Sequence, residues 1–184
     1  MKTVTLAVIL LFSAASVSQQ QPMKPHDVAM DKWHAMIPAI EKVLKEHNLH
    51  CDYQGGTWAP SIVDAADFSS TDQMSAALVD WCNGGAYSDA ILAVNIQDGK
   101  PVLSRFLNAE NQEQRVEFLS GSSVMHSVGV KLVPGKNALF DSHCDYANGE
   151  GVFRCKVTAY VWNPAARAFK RDMKLSRQSS VTRR

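Results

Sequence analysis

The sequence predicts an α+β fold, in which an N-terminal amphipathic helix packs on an antiparallel sheet or sandwich built from two similar β units. Three observations lead there: helical spacing of apolar residues early in the chain, short apolar runs separated by turn residues from Gly55 onward, and an internal similarity between those runs. A length of 184 residues with 46% hydrophobic and 20% charged residues fits one domain. It excludes a disordered, collagen-like or long coiled-coil chain.

Residues 1–18 have the features of a secretory signal peptide: an early lysine, an apolar run from Val4 to Phe12, and small residues before a polar stretch. The apolar run is too short to cross a bilayer of about 30 Å as a helix, although an N-terminal anchor is the alternative interpretation. Cleavage fits after Ala15 or after Ser18. We therefore expect a periplasmic or secreted protein with no membrane span.

The predicted helix covers residues 27–50 and follows a polar linker, residues 19–26. Its apolar stripe has helical spacing, with Trp33, Ile37, Ile40 and Leu44 at i, i+4, i+7 and i+11. Pro38 lies inside this pattern, so we expect either a kink there or a second helix that starts at the proline.

The remainder of the domain, which we expect to end at residue 175, is predicted to be strands. Turn signals such as Asp98-Gly99 separate them. The predicted strands are Ala76 to Trp81, Ala90 to Ile96, Val102 to Leu107, Ser123 to Val133, Ala138 to Phe140 and Val152 to Trp162. They form β unit one (55–107) and β unit two (121–172).

An internal repeat is predicted from matching runs in the two units. Ala77-Leu78-Val79-Asp80 precedes a cysteine in the first unit, and Ala138-Leu139-Phe140-Asp141 precedes one in the second. A second match aligns the run that starts at Ala93 with the run that starts at Ala159. Duplication of a unit of about four strands would produce both matches; chance similarity is the alternative.

Each unit resembles a β blade of the FG-GAP or VCBS type, found in exported and cell-surface proteins. The resemblance implies a calcium loop with the pattern Asp-x-Asn-Gly-Asp-Gly before the strand. The matching stretch here, Asp67 to Asp72, lacks both glycines and has Thr71 in place of the central acid. We therefore expect no calcium at this loop, and no metal or cofactor elsewhere.

The four cysteines predict two disulfides in an exported chain. Three pairings are possible, and spacing favours Cys51–Cys82 with Cys144–Cys155, the second bridging a hairpin. A zinc site is the competing interpretation, but it needs closely spaced ligand pairs that the chain lacks.

The C-terminal end is basic, with seven Lys and Arg residues against one acid from Arg167 onward. We expect residues 176–184 to be a disordered tail; the alternatives are that the tail folds back on the acidic body or contacts an anionic surface such as lipid headgroups. Few aromatic residues interleave with these cations, which argues against nucleic-acid binding.

No catalytic set is evident, and the candidate binding residues form two groups. Asp141, His143 and Asp145 alternate along one predicted strand, and His126 lies on another. Trp81 and Tyr87 flank a glycine loop that is expected to form a recognition rim, unless Trp81 instead covers the core.

The favoured function is therefore an exported binding or interaction module for an unknown protein or envelope ligand, in its sharpest form a periplasmic inhibitor or immunity-type protein. The alternative is an envelope hydrolase that uses the histidines and the acids near them. Convergence of His126, His143, Asp141 and Asp145 in one cleft would favour the enzyme, and scatter over the surface would exclude it.

Overall fold

A computed structural model describes residues 24–49, 51, 59–68, 74–83, 89–122, 126–147 and 152–182. The predicted signal peptide and Tyr87 lie outside the described residues. Within them, none of the helices is long and apolar enough to cross a membrane.

Two short helices replace the single predicted one: α1 (Pro25–His34) and α2 (Ile37–Glu46). Pro38 lies in the first turn of α2, where its missing N–H costs no intrahelical hydrogen bond. This is the second of the two outcomes expected for Pro38. Pro25 opens α1 in the same way. The helix therefore begins two residues earlier than predicted, inside the predicted linker of residues 19–26.

The rest is a mixed sheet, and the α+β class is confirmed in this broad sense. The strands are β1 (Ser61–Asp67), β2 (Ser75–Asn83), β3 (Asp89–Gln97), β4 (Lys100–Leu103), β5 (Phe106–Leu107), β6 (Glu113–Gln114), β7 (Phe118–Ser122), β8 (His126–Val133), β9 (Ala138–Ala147), β10 (Val152–Asn163) and β11 (Ala168–Thr182). Their order is β1-β2-β3-β7-β8-β9-β10-β11-β5-β6, with β4 also on β3. A 3₁₀ turn, Pro134–Lys136, joins β8 to β9.

The prediction of a purely antiparallel sheet is wrong at one place, because β5 pairs with β11 in parallel. The predicted strand Val102 to Leu107 divides there. The Ser104 N–H still donates to the Ala93 carbonyl, but the Arg105 carbonyl accepts from the Phe169 N–H, 2.8 Å away. The division brings Phe106 into the core, where its ring stacks 5.5 Å from that of Phe169.

Two apolar clusters lie on opposite faces of the sheet. The interior cluster includes Phe106, Phe118, Leu139, Tyr160 and Phe169, which the sheet curls around. The other cluster joins the helices to the outer face of β1, β2 and β3. Trp33 is fully buried in it, and its indole Nε1–H donates to the Ser75 hydroxyl at 2.9 Å.

The predicted disordered tail is instead strand as far as Thr182, in register with β10 down to Val152. A bulge interrupts the pairing, and Asp172 Oδ1 accepts hydrogen bonds from the backbone N–H groups of Lys174 and Leu175. Composition predicted disorder from the basic side chains, whereas pairing to a neighbouring strand satisfies the backbone whatever the side-chain charge.

Candidate functional site

Strand β9 presents the predicted acid and histidine residues on one face. Asp141, His143 and Asp145 alternate in the same direction as Leu139, which is buried in the interior cluster. They continue the interior face of the sheet past the last buried residue of β9. Along β9, the interior face therefore changes from buried apolar residues to polar residues.

Asp141 and His143 are in direct contact. The Asp141 Oδ1 atom lies 3.2 Å from His143 Nε2, and the side chains are 14% and 45% exposed. Burial raises the pKa of Asp141, while His143 and Lys156 oppose that shift. A carboxyl with a raised pKa next to an accessible imidazole can exchange a proton or hold a polar ligand.

The other two predicted residues, Asp145 and His126, lie further along β9 and β8. Their backbones are register partners across β8 and β9. The His126 side chain is outside what the structure describes. The described side chains of Asp141, His143 and Asp145 thus share one sheet face, and convergence of all four residues in one cleft stays a prediction.

The serine next to the Asp141–His143 pair is not placed to act with it as a nucleophile. Ser142 is next to the Asp141–His143 pair in sequence, but it leaves the opposite face and its hydroxyl donates to the Gly129 carbonyl at 3.0 Å. In the part of the chain that is described, no group of three His, Cys, Asp or Glu residues is placed to hold a metal ion.

The aromatic group gives a different result. Trp81 packs against the cluster between the helices and β1–β3, as the alternative interpretation expected. Its proposed partner Tyr87 lies outside the described residues, so the recognition rim stays a prediction.

Both disulfides form as the spacing favoured. Cys51, just past α2, is bonded to Cys82 at the end of β2. Cys144 and Cys155 are bonded across β9 and β10, where they are register partners. The second bond lies beside His143 and fixes the two strands that form the polar face.

A groove that the sequence did not reveal lies on the opposite face of β8–β11. It has a volume of about 480 Å³, and its lining includes Lys131, Lys136, Phe140, Val157 and Arg177. The Lys136 ammonium lies 5.5 Å from the centre of the Phe140 ring. Lys131 is the single lysine or arginine on β8, so no sequence pattern along that strand indicates the groove.

A second cleft, of about 500 Å³, lies beside Phe106 and the end of α2. Arg105 lines this cleft. Its guanidinium donates two hydrogen bonds to Glu113, at 3.3 and 2.9 Å, and lowers the pKa of that carboxyl. A third bond reaches the Ala166 carbonyl. These bonds commit Arg105 to fixing the loop rather than to holding a ligand.

Comparison with known proteins gives no relative: no family model matches the chain, and no curated protein or solved structure is significantly similar to it. The FG-GAP or VCBS resemblance therefore stays a prediction, and the site has to be interpreted from its own chemistry.

Proposed function

We propose that the chain is an exported binding module that acts in the periplasm or outside the cell. Two disulfides are consistent with an oxidising compartment, and the signal-like residues 1–18 supply a route to it. An inhibitor or immunity-type protein is the form of binding module that the small size and the exposed sheet favour.

One observation carries the proposal. Strands β8–β11 continue past the interior cluster as a four-stranded ribbon, made of residues 126–130, 141–147, 152–158 and 171–182, of which Val130 still packs against that cluster. None of its described side chains is buried, and beyond Lys170 strand β11 has β10 as its only described strand partner. A sheet that adds little to the core, yet is cross-linked by a disulfide, suits recognition of another molecule.

Hydrolysis is the second candidate, and the Asp141–His143 contact is the observation that favours it. The pair lines neither of the two cavities described above. A general acid or base has to reach a bound substrate, and such substrates are usually held in a cleft. Binding through this face therefore fits the geometry better than catalysis.

Site-specific photo-crosslinking in the exporting cell tests the proposal. A photoreactive residue replaces Met173, which is 60% exposed on β11, and a matched control replaces Val28, which is 49% exposed on α1. We expect an adduct from position 173 and none from position 28, with its mass separating a protein partner from a small ligand. No adduct from the ribbon, together with a hydrolytic activity that His143→Ala abolishes, would replace binding by catalysis.

The repeat belongs to the same proposal. Leu78 and Leu139 both lie in the interior cluster, and the aspartates that follow them, Asp80 and Asp141, both have a pKa raised by burial. This supports duplication in β2 and β9. The second predicted match is out of register, because Ala93 is a partner of Leu78 whereas the partner of Leu139 is Tyr160.

A further inference from the structure

The groove on the outer face of β8–β11 includes Gly129, which has no side chain to fill it. Gly129, Ser142, Val157 and Arg177 form a row of register partners across the four strands. A Cβ atom placed on Gly129 would have Ser142 Oγ, 3.8 Å away, as its nearest neighbour. The space above Gly129 is therefore open, and the Phe140 and Val157 side chains border it.

The charge around this space has one sign. Lys131, Lys136 and Arg177 line the groove, and none of the described residues that line it is acidic. Among the described residues none of these three cations forms an ion pair. The opposite face of the same strands is mixed, because Asp141 and Asp145 accompany its basic residues. The cations of the groove are available to a ligand.

We propose that this groove binds a single-chain anionic amphiphile of the fatty-acid type. Arg177, at the β11 edge of the groove, holds the carboxylate headgroup. The alkyl chain crosses Val157 and Phe140 towards Lys131 and Lys136, whose positive charges add to the attraction. A small inorganic anion would leave the apolar floor in water, and a neutral lipid would leave three cations without counter-charge. The volume of about 480 Å³ is that of a small-molecule site.

The inference rests on the proposed binding function, and it assigns to the ribbon a ligand class and a site. It is tested by isothermal titration of the mature protein with dodecanoate, below the micelle concentration. Dodecyl phosphate, dodecanol, dodecyltrimethylammonium and inorganic phosphate are the comparison ligands. We expect saturable binding of dodecanoate, binding of dodecyl phosphate as the alternative anionic headgroup, and none of the other three.

Gly129→Leu is the decisive variant, because it fills the groove at a position whose backbone does not require glycine. It should abolish binding, whereas Arg177→Gln should weaken it about tenfold and Lys131→Gln should weaken it by less. Lys100→Gln, an exposed cation on β4, is the control and should bind as the parent does. Melting curves of all four variants establish that they are folded.

Three results would overturn the inference: dodecanol binding as tightly as dodecanoate, a folded Gly129→Leu variant that binds normally, or no binding at all. An adduct with a protein at position 173 without dodecanoate binding would reject the amphiphile and leave the binding function standing. If neither an adduct at position 173 nor dodecanoate binding is found, the amphiphile site and the binding function are both rejected.

Discussion

The two disulfides should stabilise the protein to different degrees, because they close loops of different length. The bonded cysteines are 31 positions apart in Cys51–Cys82 and 11 apart in Cys144–Cys155. Loss of loop-closure entropy in the unfolded chain then gives about 3.7 kcal/mol for the first bond and about 2.8 kcal/mol for the second. Serine in place of both cysteines of the longer bridge should therefore cost about 0.9 kcal/mol more.

Guanidinium unfolding of the two double-serine variants, followed by circular dichroism, measures this difference. The structure adds a second expectation. Cys51 follows Leu49, which packs against the helix-covered cluster, so loss of the Cys51–Cys82 bond should also reduce helical signal before global unfolding. An equal or larger cost for removing Cys144–Cys155 would refute the chain-entropy reasoning and indicate that native-state contacts of the ribbon dominate.

Two further predictions concern the core and pH. Phe106→Ala should lower the free energy of unfolding by about 3–5 kcal/mol in denaturant titration, because the ring packs against Phe118, Tyr160 and Phe169; a cost below about 1 kcal/mol would mean that β5 is not part of the core. Burial, then repulsion from Asp89, raises the pKa of Asp80, so the contribution of Asp80 to stability should be greatest below its unfolded-state pKa and be lost as the pH rises through the raised folded value. Asp80→Asn should flatten this dependence in melting curves at a series of pH values, and an unchanged profile would contradict the assignment.

Local features of the fold could be predicted from the sequence. A second helix that starts beside Pro38 follows from the geometry of one residue, and the pairing of Cys144 with Cys155 follows from a short hairpin. Both depend on neighbours close in sequence. Burial of Trp33 could likewise be predicted, because the helical spacing of apolar residues determines which side of the helix is buried.

Features that depend on distant strands could not be predicted. Phe106 and Leu107 pair with Gln114 and Glu113 close by in sequence, but their place in the main sheet comes from Phe169 and Lys170, more than sixty residues later in the chain. The backbone from Arg177 to Thr182 is extended for the same reason, since β10 supplies its partner. Neither local composition nor periodicity contains that information, and tertiary context overrides both.

The two candidate sites also differ in how far the sequence predicts them. Asp141, His143 and Asp145 could be found because one strand places alternate residues on one face, so a single period of two identifies the cluster. Phe140 and Ser142, on the other face of β9, belong to no sequence motif that would identify a site. Their face becomes a groove only where four strands are in register and one position, Gly129, has no side chain. A search for reactive groups therefore finds the polar face, whereas the geometry that could hold a ligand lies on the other side of the same strands.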